Sequence, residues 1–129
     1  MKVLIAYSTK YGTAERVAGM FCEKVALPCD VVNLRTTPTP AIAQYDVVIL
    51  GGPIYAGRMR REVPKFADRY RQELLQRQVG VFISCLYEGE QAEQQLQDNL
   101  PAWLLAHAFG RYKVGGVVEY RRLGLVDRL

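Results

Sequence analysis

Five short apolar runs recur along the chain: Lys2 to Tyr7, Asp30 to Leu34, Asp46 to Leu50, Val79 to Ser84 and Lys113 to Val118. Each is rich in Val, Ile or Leu, and most are apolar at consecutive positions rather than alternate ones. Strands buried on both faces read this way, as in a parallel sheet covered by helices. Between the runs the apolar spacing changes to every third or fourth residue. Ala14, Val17, Ala18, Phe21 and Val25 form one helical stripe within a segment predicted helical from Glu15 to Ala26. Val63, Phe66, Ala67, Tyr70 and Leu74 form another, with Arg, Asp and Gln between them. Glu90 to Gln97 reads as a helix and Pro101 to His107 as its continuation or a second one. Asn99 is placed to cap that second part and Gly110 to close it. Pro38 and Pro40 leave room only for a short helix or turn between Thr36 and Ala43.

The resulting order, β-α-β-(short α)-β-α-β-α-β, predicts an α/β domain: a five-stranded parallel sheet, doubly wound, with right-handed crossovers. Such a domain normally ends on a helix packed across one sheet face. Tyr120 to Leu129 hold roughly two helical turns with Gly124 inside, so the last helix is expected to be short or missing. Either the natural chain is longer, or a partner covers that face; a homodimer is one such arrangement.

Composition narrows this picture only slightly. With 129 residues, half of them hydrophobic, the chain suits a single domain over residues 1–129. No run approaches the roughly 20 apolar residues of a membrane helix, and Met1-Lys2 leads directly into a strand, so a cytoplasmic location is expected. The net charge of +4 is mild, and no nucleic-acid motif accompanies it. Cys22, Cys29 and Cys85 lack metal-type spacing and are expected to be reduced, mostly buried thiols.

Candidate chemistry lies after three strands, because ligands of an open parallel sheet bind beyond the carboxyl ends of its strands. After the first run comes Ser8-Thr9-Lys10-Tyr11-Gly12-Thr13-Ala14. Its hydroxyls, a glycine for a tight turn and the unpaired N–H groups of a helix start together suit a phosphate monoester. It is neither a Walker loop nor a dinucleotide G-x-G-x-x-G fingerprint. After the third run comes Gly51-Gly52-Pro53-Ile54-Tyr55-Ala56-Gly57-Arg58, where glycines admit close backbone approach and Ile54 and Tyr55 offer apolar and flat surface. After the fourth comes Ser84-Cys85-Leu86-Tyr87-Glu88-Gly89. One phosphate loop and two apolar-aromatic loops on one sheet edge describe a site for a phosphorylated planar heterocycle.

With its Y-S-T-K-Y-G-T opening and G-G-P-I-Y-A-G loop, the chain resembles the flavodoxin family over essentially its whole length. It is most similar to short flavodoxin-domain proteins related to menaquinone-dependent protoporphyrinogen oxidase of the flavodoxin type. The resemblance implies strand order 2-1-3-4-5 and FMN as cofactor. It implies that Ser8, Thr9, Lys10, Tyr11, Gly12, Thr13 and Ala14 hold the FMN phosphate. It further implies that Pro53, Ile54, Tyr55, Ala56, Gly57 and Arg58, with Ser84, Cys85, Leu86, Tyr87, Glu88 and Gly89, flank the isoalloxazine. Ala14 stands where the family's loop usually ends in threonine; Thr13 is the substitute for that contact.

The charge pattern separates function classes. Many flavodoxins are acidic, whereas here Arg58, Arg60 and Arg61 crowd the second loop, just before a helix N-terminus whose dipole opposes cations. Two roles suit them: receiving an acidic partner or a substrate carboxylate, and stabilising the anionic reduced flavin. The expected partner is a redox protein or a quinone. A one-electron carrier is favoured over a quinone-linked oxidase of protoporphyrinogen, since residues 85–114 must already hold a helix and leave little room for an extra loop. A flavin-free interaction module on the same fold is the third reading. A phospho-receiver is excluded by Ser8-Thr9 and Gly51-Gly52 where acidic residues are needed, and a small tyrosine phosphatase by the lack of C-x-x-x-x-x-R. His107 and Trp103 are expected to pack, and Cys85 to be a small buried residue.

Overall fold

In the computed structural model the described residues are 2–8, 22–23, 27–37, 41–55, 57–84 and 89–114. Their strands are β1 (Val3–Tyr7), β2 (Cys29–Asn33), β3 (Val47–Tyr55), β4 (Arg58–Met59), β5 (Gln78–Ser84) and β6 (Gly110–Val114). The helices are α1 (Glu62–Arg69), α2 (Arg71–Leu75), α3 (Glu90–Asn99) and α4 (Ala102–His107), with a 3-10 turn over Ile42–Gln44. The main sheet is parallel, in the order β2-β1-β3-β5-β6, and β4 pairs antiparallel with the end of β3. Leaving β4 aside, this is the parallel, doubly wound sheet expected from the alternation of elements, in the order 2-1-3-4-5 that the resemblance implied. The helix expected over Glu15 to Ala26 is described only at residues 22–23, which are helical. The expected short or missing last helix lies outside the described residues, as do Pro38 and Pro40.

Consecutive apolar residues in the strands divide between two faces. Leu4, Ala6, Val48, Leu50, Val79, Val81 and Ile83 meet Val63, Phe66, Ala67, Leu74, Leu96, Leu104 and Leu105 of the four helices. Val3, Ile5, Tyr7, Val47, Ile49 and Phe82 form the core of the opposite face, with Cys22, Cys29 and Val31 packed on it. The helical stripe expected over residues 63–74 points inward, but it belongs to two helices. The chain breaks at Tyr70 (φ −107°, ψ 26°), and Leu74 still reaches the core from α2.

Tertiary contacts shift three other boundaries. β3 continues four positions beyond Gly51, because Gly51, Gly52 and Pro53 pair with Phe82, Ile83 and Ser84 of β5. β1 has ended opposite Gly51. A proline without N–H is tolerated where one side of the strand has no ladder. β6 begins at Gly110 rather than Lys113, since Phe109 N–H already donates to Val79 O at 2.7 Å. Gly110 therefore opens a strand instead of closing a helix. Asn99 does not cap the second helix; it ends α3, and Pro101 stands at the N-cap of α4.

A further correction concerns the cysteines. Cys22 and Cys29 form a disulfide with Cα atoms 5.6 Å apart. The crossover after β1 brings residue 22 back beside the first residue of β2, a proximity that sequence spacing does not display. Cys85 lies outside the described residues.

Other polar contacts fasten the periphery. Tyr45 donates its hydroxyl to Asp30 Oδ2 at 2.7 Å. Burial, then the neighbouring carboxylate, pushes the Tyr45 phenol up to about 12. His107 Nε2 lies 3.0 Å from Leu74 O and 2.7 Å from Arg77 O. Both are acceptors, so Nε2 carries the proton and ties the end of α4 to the end of α2. Trp103 is half-buried and donates Nε1–H to Asp68 at 3.3 Å. Both side chains have the packing roles their positions predict.

Candidate functional site at the carboxyl ends of the strands

β1, β3 and β5 are neighbours in the sheet and parallel, so their carboxyl ends open on one edge. The chain passes from β1 outward to β2 and then returns to β3 on the other side of β1. The β1/β3 boundary is therefore the topological switch point, where such sheets leave a crevice for ligands.

Ser8 is the first residue past β1 and is fully buried. Its hydroxyl donates to Glu62 Oε1 at 2.8 Å, and Arg60 Nε donates to the same oxygen at 3.2 Å. Burial alone would raise the Glu62 carboxyl. The hydrogen bonds from Ser8 and from its own backbone N–H, with the charge of Arg60, outweigh that and hold it below its ordinary value. The start of α1 is thus fastened to the exit of β1. The proton of the Ser8 hydroxyl is engaged there rather than free for an anion. Thr9, Lys10, Tyr11, Gly12, Thr13 and Ala14 lie outside the described residues.

Gly52 crosses the exit of β1 so closely that a Cβ would sit 2.8 Å from Ser8 O. A Cβ on Gly51 would collide with the Phe82 carbonyl. The two glycines are therefore required by the close approach of the strand ends. Pro53, Ile54 and Tyr55 continue β3 and do not form a free loop. Ile54 pairs with Met59 and Tyr55 with Arg58, and Gly57 takes φ 79° in the turn between them. Ala56 lies outside the described residues.

That hairpin is held from behind by α3. Asn99 Oδ1 accepts from Met59 N–H at 2.9 Å, while Asn99 Nδ2 donates to Gly57 O at 3.1 Å and to Gln95 O at 2.8 Å. One turn earlier, the buried Gln95 Oε1 has no hydrogen-bond partner among the described residues, and it lies 4.0 Å from where a Gly57 Cβ would stand. The third exit has Ser84, buried at the end of β5, and Gly89 with φ 58° just before α3. Cys85, Leu86, Tyr87 and Glu88 lie outside the described residues. Of the three arginines, Arg60 pairs with Glu62, whereas Arg58 and Arg61 are exposed.

Glu62, Gln95 and Asn99 were missed as site residues. Glu62 was visible as a helix start, and Gln95 and Asn99 share a helix face by their i, i+4 spacing. Neither Glu62 nor Asn99 carries a signal for its distant partner, Ser8 54 residues away and Met59 40 residues away.

A family model described as a flavodoxin domain matches residues 4–129. No curated protein sequence matches significantly. Among solved structures, a short-chain flavodoxin associated with a non-canonical PDU bacterial microcompartment is similar, with 21% identity and a TM-score of 0.65. That alignment covers 99% of this chain and 98% of the other. Oxidised flavodoxin 1 from Bacillus cereus aligns at 18% identity and a TM-score of 0.61, covering 100% and 99%. A flavoprotein in complex with FMN from Lactobacillus acidophilus NCFM aligns at 12% identity and a TM-score of 0.60, covering 87% and 92%. At these identities the likeness establishes the fold.

Proposed function

Since the chain belongs to the flavodoxin domain family, we propose that residues 1–129 form one FMN-binding domain that works as an electron-transfer protein. One observation carries this reading. The exits of β1, β3 and β5 lie side by side at the switch point, and at the central one two glycines are enforced by backbone contact, Gly52 against β1 and Gly51 against β5. These close-packed strand ends suit a flat ring and a phosphate laid across them.

Within this reading, residues 9–14 present hydroxyls and backbone N–H groups to the phosphate. Ser8 and Glu62 anchor the start of that segment from beneath. The hairpin of β3 and β4, with residues 84–89, encloses the ring and limits its contact with water. Bound FMN would supply the redox chemistry; the chain supplies binding, orientation and the surrounding charge. The exposed Arg58 and Arg61 suit an acidic partner or a negatively charged reduced cofactor. A quinone-linked oxidation of protoporphyrinogen rests on the sequence resemblance alone. Residues 85–89 are all that separate β5 from α3, which favours a carrier over an enzyme with an added substrate loop.

The test is uptake of FMN by purified protein. We expect one FMN per chain, with a flavin absorption band that persists on desalting. Thr13→Ala is expected to weaken FMN roughly tenfold, the loss of about one hydrogen bond to a charged group, and riboflavin much less, since riboflavin has no phosphate. A protein that takes up no flavin would overturn the reading. Equal weakening of both ligands would remove Thr13 from the phosphate contacts.

A further inference from the structure

The charges of α1 are sorted in an unusual way. The helix buries Val63, Phe66 and Ala67 against the sheet. On the opposite side Arg61, Lys65 and Arg69 recur at i, i+4 and i+8 and are all exposed, and the exposed Arg58 precedes them on β4. The same segment contains two acidic residues, and both are engaged elsewhere. Glu62 accepts from Ser8 and Arg60, and Asp68 accepts from Trp103 Nε1. Arg58, Arg61 and Lys65 form no ion pair among the described residues, and Arg69 meets only the face of the Tyr70 ring, 5.4 Å from its centroid. The result is a row of three cations about 12 Å long on the helix, with a fourth, Arg58, ahead of it on β4.

Local stability does not account for this row. A cation at the N-cap opposes the helix dipole, and like charges at i, i+4 repel by a few tenths of a kcal/mol each. Its position does suggest an account. Arg58 stands in the hairpin that the FMN reading places beside the ring, and the row leads away from that hairpin along α1. A charged row that starts at the proposed electron exit would orient an incoming protein with the ring side toward it.

We infer that Arg58, Arg61, Lys65 and Arg69 form the docking face for an acidic protein that exchanges electrons with this chain. The inference rests on the FMN reading for the electron exchange but not for the docking. A protein partner fits better than nucleic acid. The row is short, Asp68 interrupts it, and the aromatic residues among its cations, Phe66 and Tyr70, pack on the core instead of offering a base-stacking platform. It fits better than an anionic membrane because α1 turns its apolar side to the core, leaving nothing to insert.

Two full-length variants test this: Arg58, Arg61, Lys65 and Arg69 all to Glu, and the same four to Gln. Every substituted side chain is exposed, and circular dichroism checks that both variants fold. The probes are an acidic [2Fe–2S] ferredoxin, a basic c-type cytochrome, a single-stranded oligonucleotide and phosphatidylserine vesicles. Binding is read on flavin-free protein, and electron transfer on FMN-loaded protein. The wild type is expected to bind the ferredoxin at least tenfold more weakly at 0.5 M salt than at 0.02 M, as screening requires. The Gln variant should lose at least tenfold at low salt, and the Glu variant should reverse the preference toward the cytochrome. Wild-type binding that shows no preference for the ferredoxin over the cytochrome overturns the inference. So does tighter binding to the oligonucleotide or the vesicles at equal salt. If flavin is not taken up, the electron-transfer reading fails, while docking is still decided by the flavin-free measurements.

Discussion

Glu62 and Ser8 show how much a single contact decides at this site. Ser8 looked like a phosphate ligand because it is a hydroxyl at a strand exit. Fully buried and donating to Glu62 at 2.8 Å, it joins the first strand to the start of α1. The bond also has a pH signature. Glu62 titrates below its ordinary value in the folded protein. Its contribution to stability is therefore present above that ordinary value and is lost as the pH falls through the lower, folded one. Ser8→Ala removes the donor, so the Glu62 carboxyl should titrate higher, as read by NMR, and this part of the acid dependence of stability should shrink. At neutral pH the substitution should cost at most about 1 kcal/mol, because Glu62 is part-exposed and water replaces some of the lost bond. An unchanged Glu62 titration would mean that Arg60 and the backbone N–H alone hold the carboxylate.

At the scale of elements, α3 and the hairpin of β3 and β4 behave as one unit. Asn99 spans 40 residues of chain to accept from Met59 N–H and also donates to the Gly57 carbonyl. Asn99→Ala leaves both hairpin groups without that partner, and a loss of about 2 kcal/mol is expected. The sharper readout is local: Met59 N–H should exchange with solvent at least tenfold faster in the variant, while amides in β1 and β5 keep their protection. Uniform acceleration throughout the sheet would show that Asn99 acts on global stability and not on the hairpin. Residues 53–55 read as loop because they follow the apolar run that ends at Leu50. The pairing of Gly51, Gly52 and Pro53 with β5 carries the strand past that end.

For the whole molecule, the Cys22–Cys29 bond closes a short loop between the end of the first crossover and β2. Constraining so short a loop in the unfolded chain is worth about 2 kcal/mol. Cys29→Ser, or reduction of the wild type, should therefore lower the thermal midpoint by several degrees. If the two treatments differ widely, the serine itself rather than the lost cross-link is responsible.

The alternation of buried-strand and amphipathic-helix segments determined the fold class, the five parallel strands and most of the core, but neither β4 nor the break at Tyr70. Both periodicities are local properties of a chain that must bury one face of each helix and both faces of each strand. Glycine and hydroxyl residues after the first, third and fourth predicted strands marked the candidate site, because the parallel topology alone brings those exits to one edge. The role of Ser8, the reach of Asn99, the pairing of Cys22 with Cys29 and the extension of β3 were decided only in three dimensions. Each depends on a partner distant in sequence or on an approach of two backbones, and no local pattern of residues encodes such a distance.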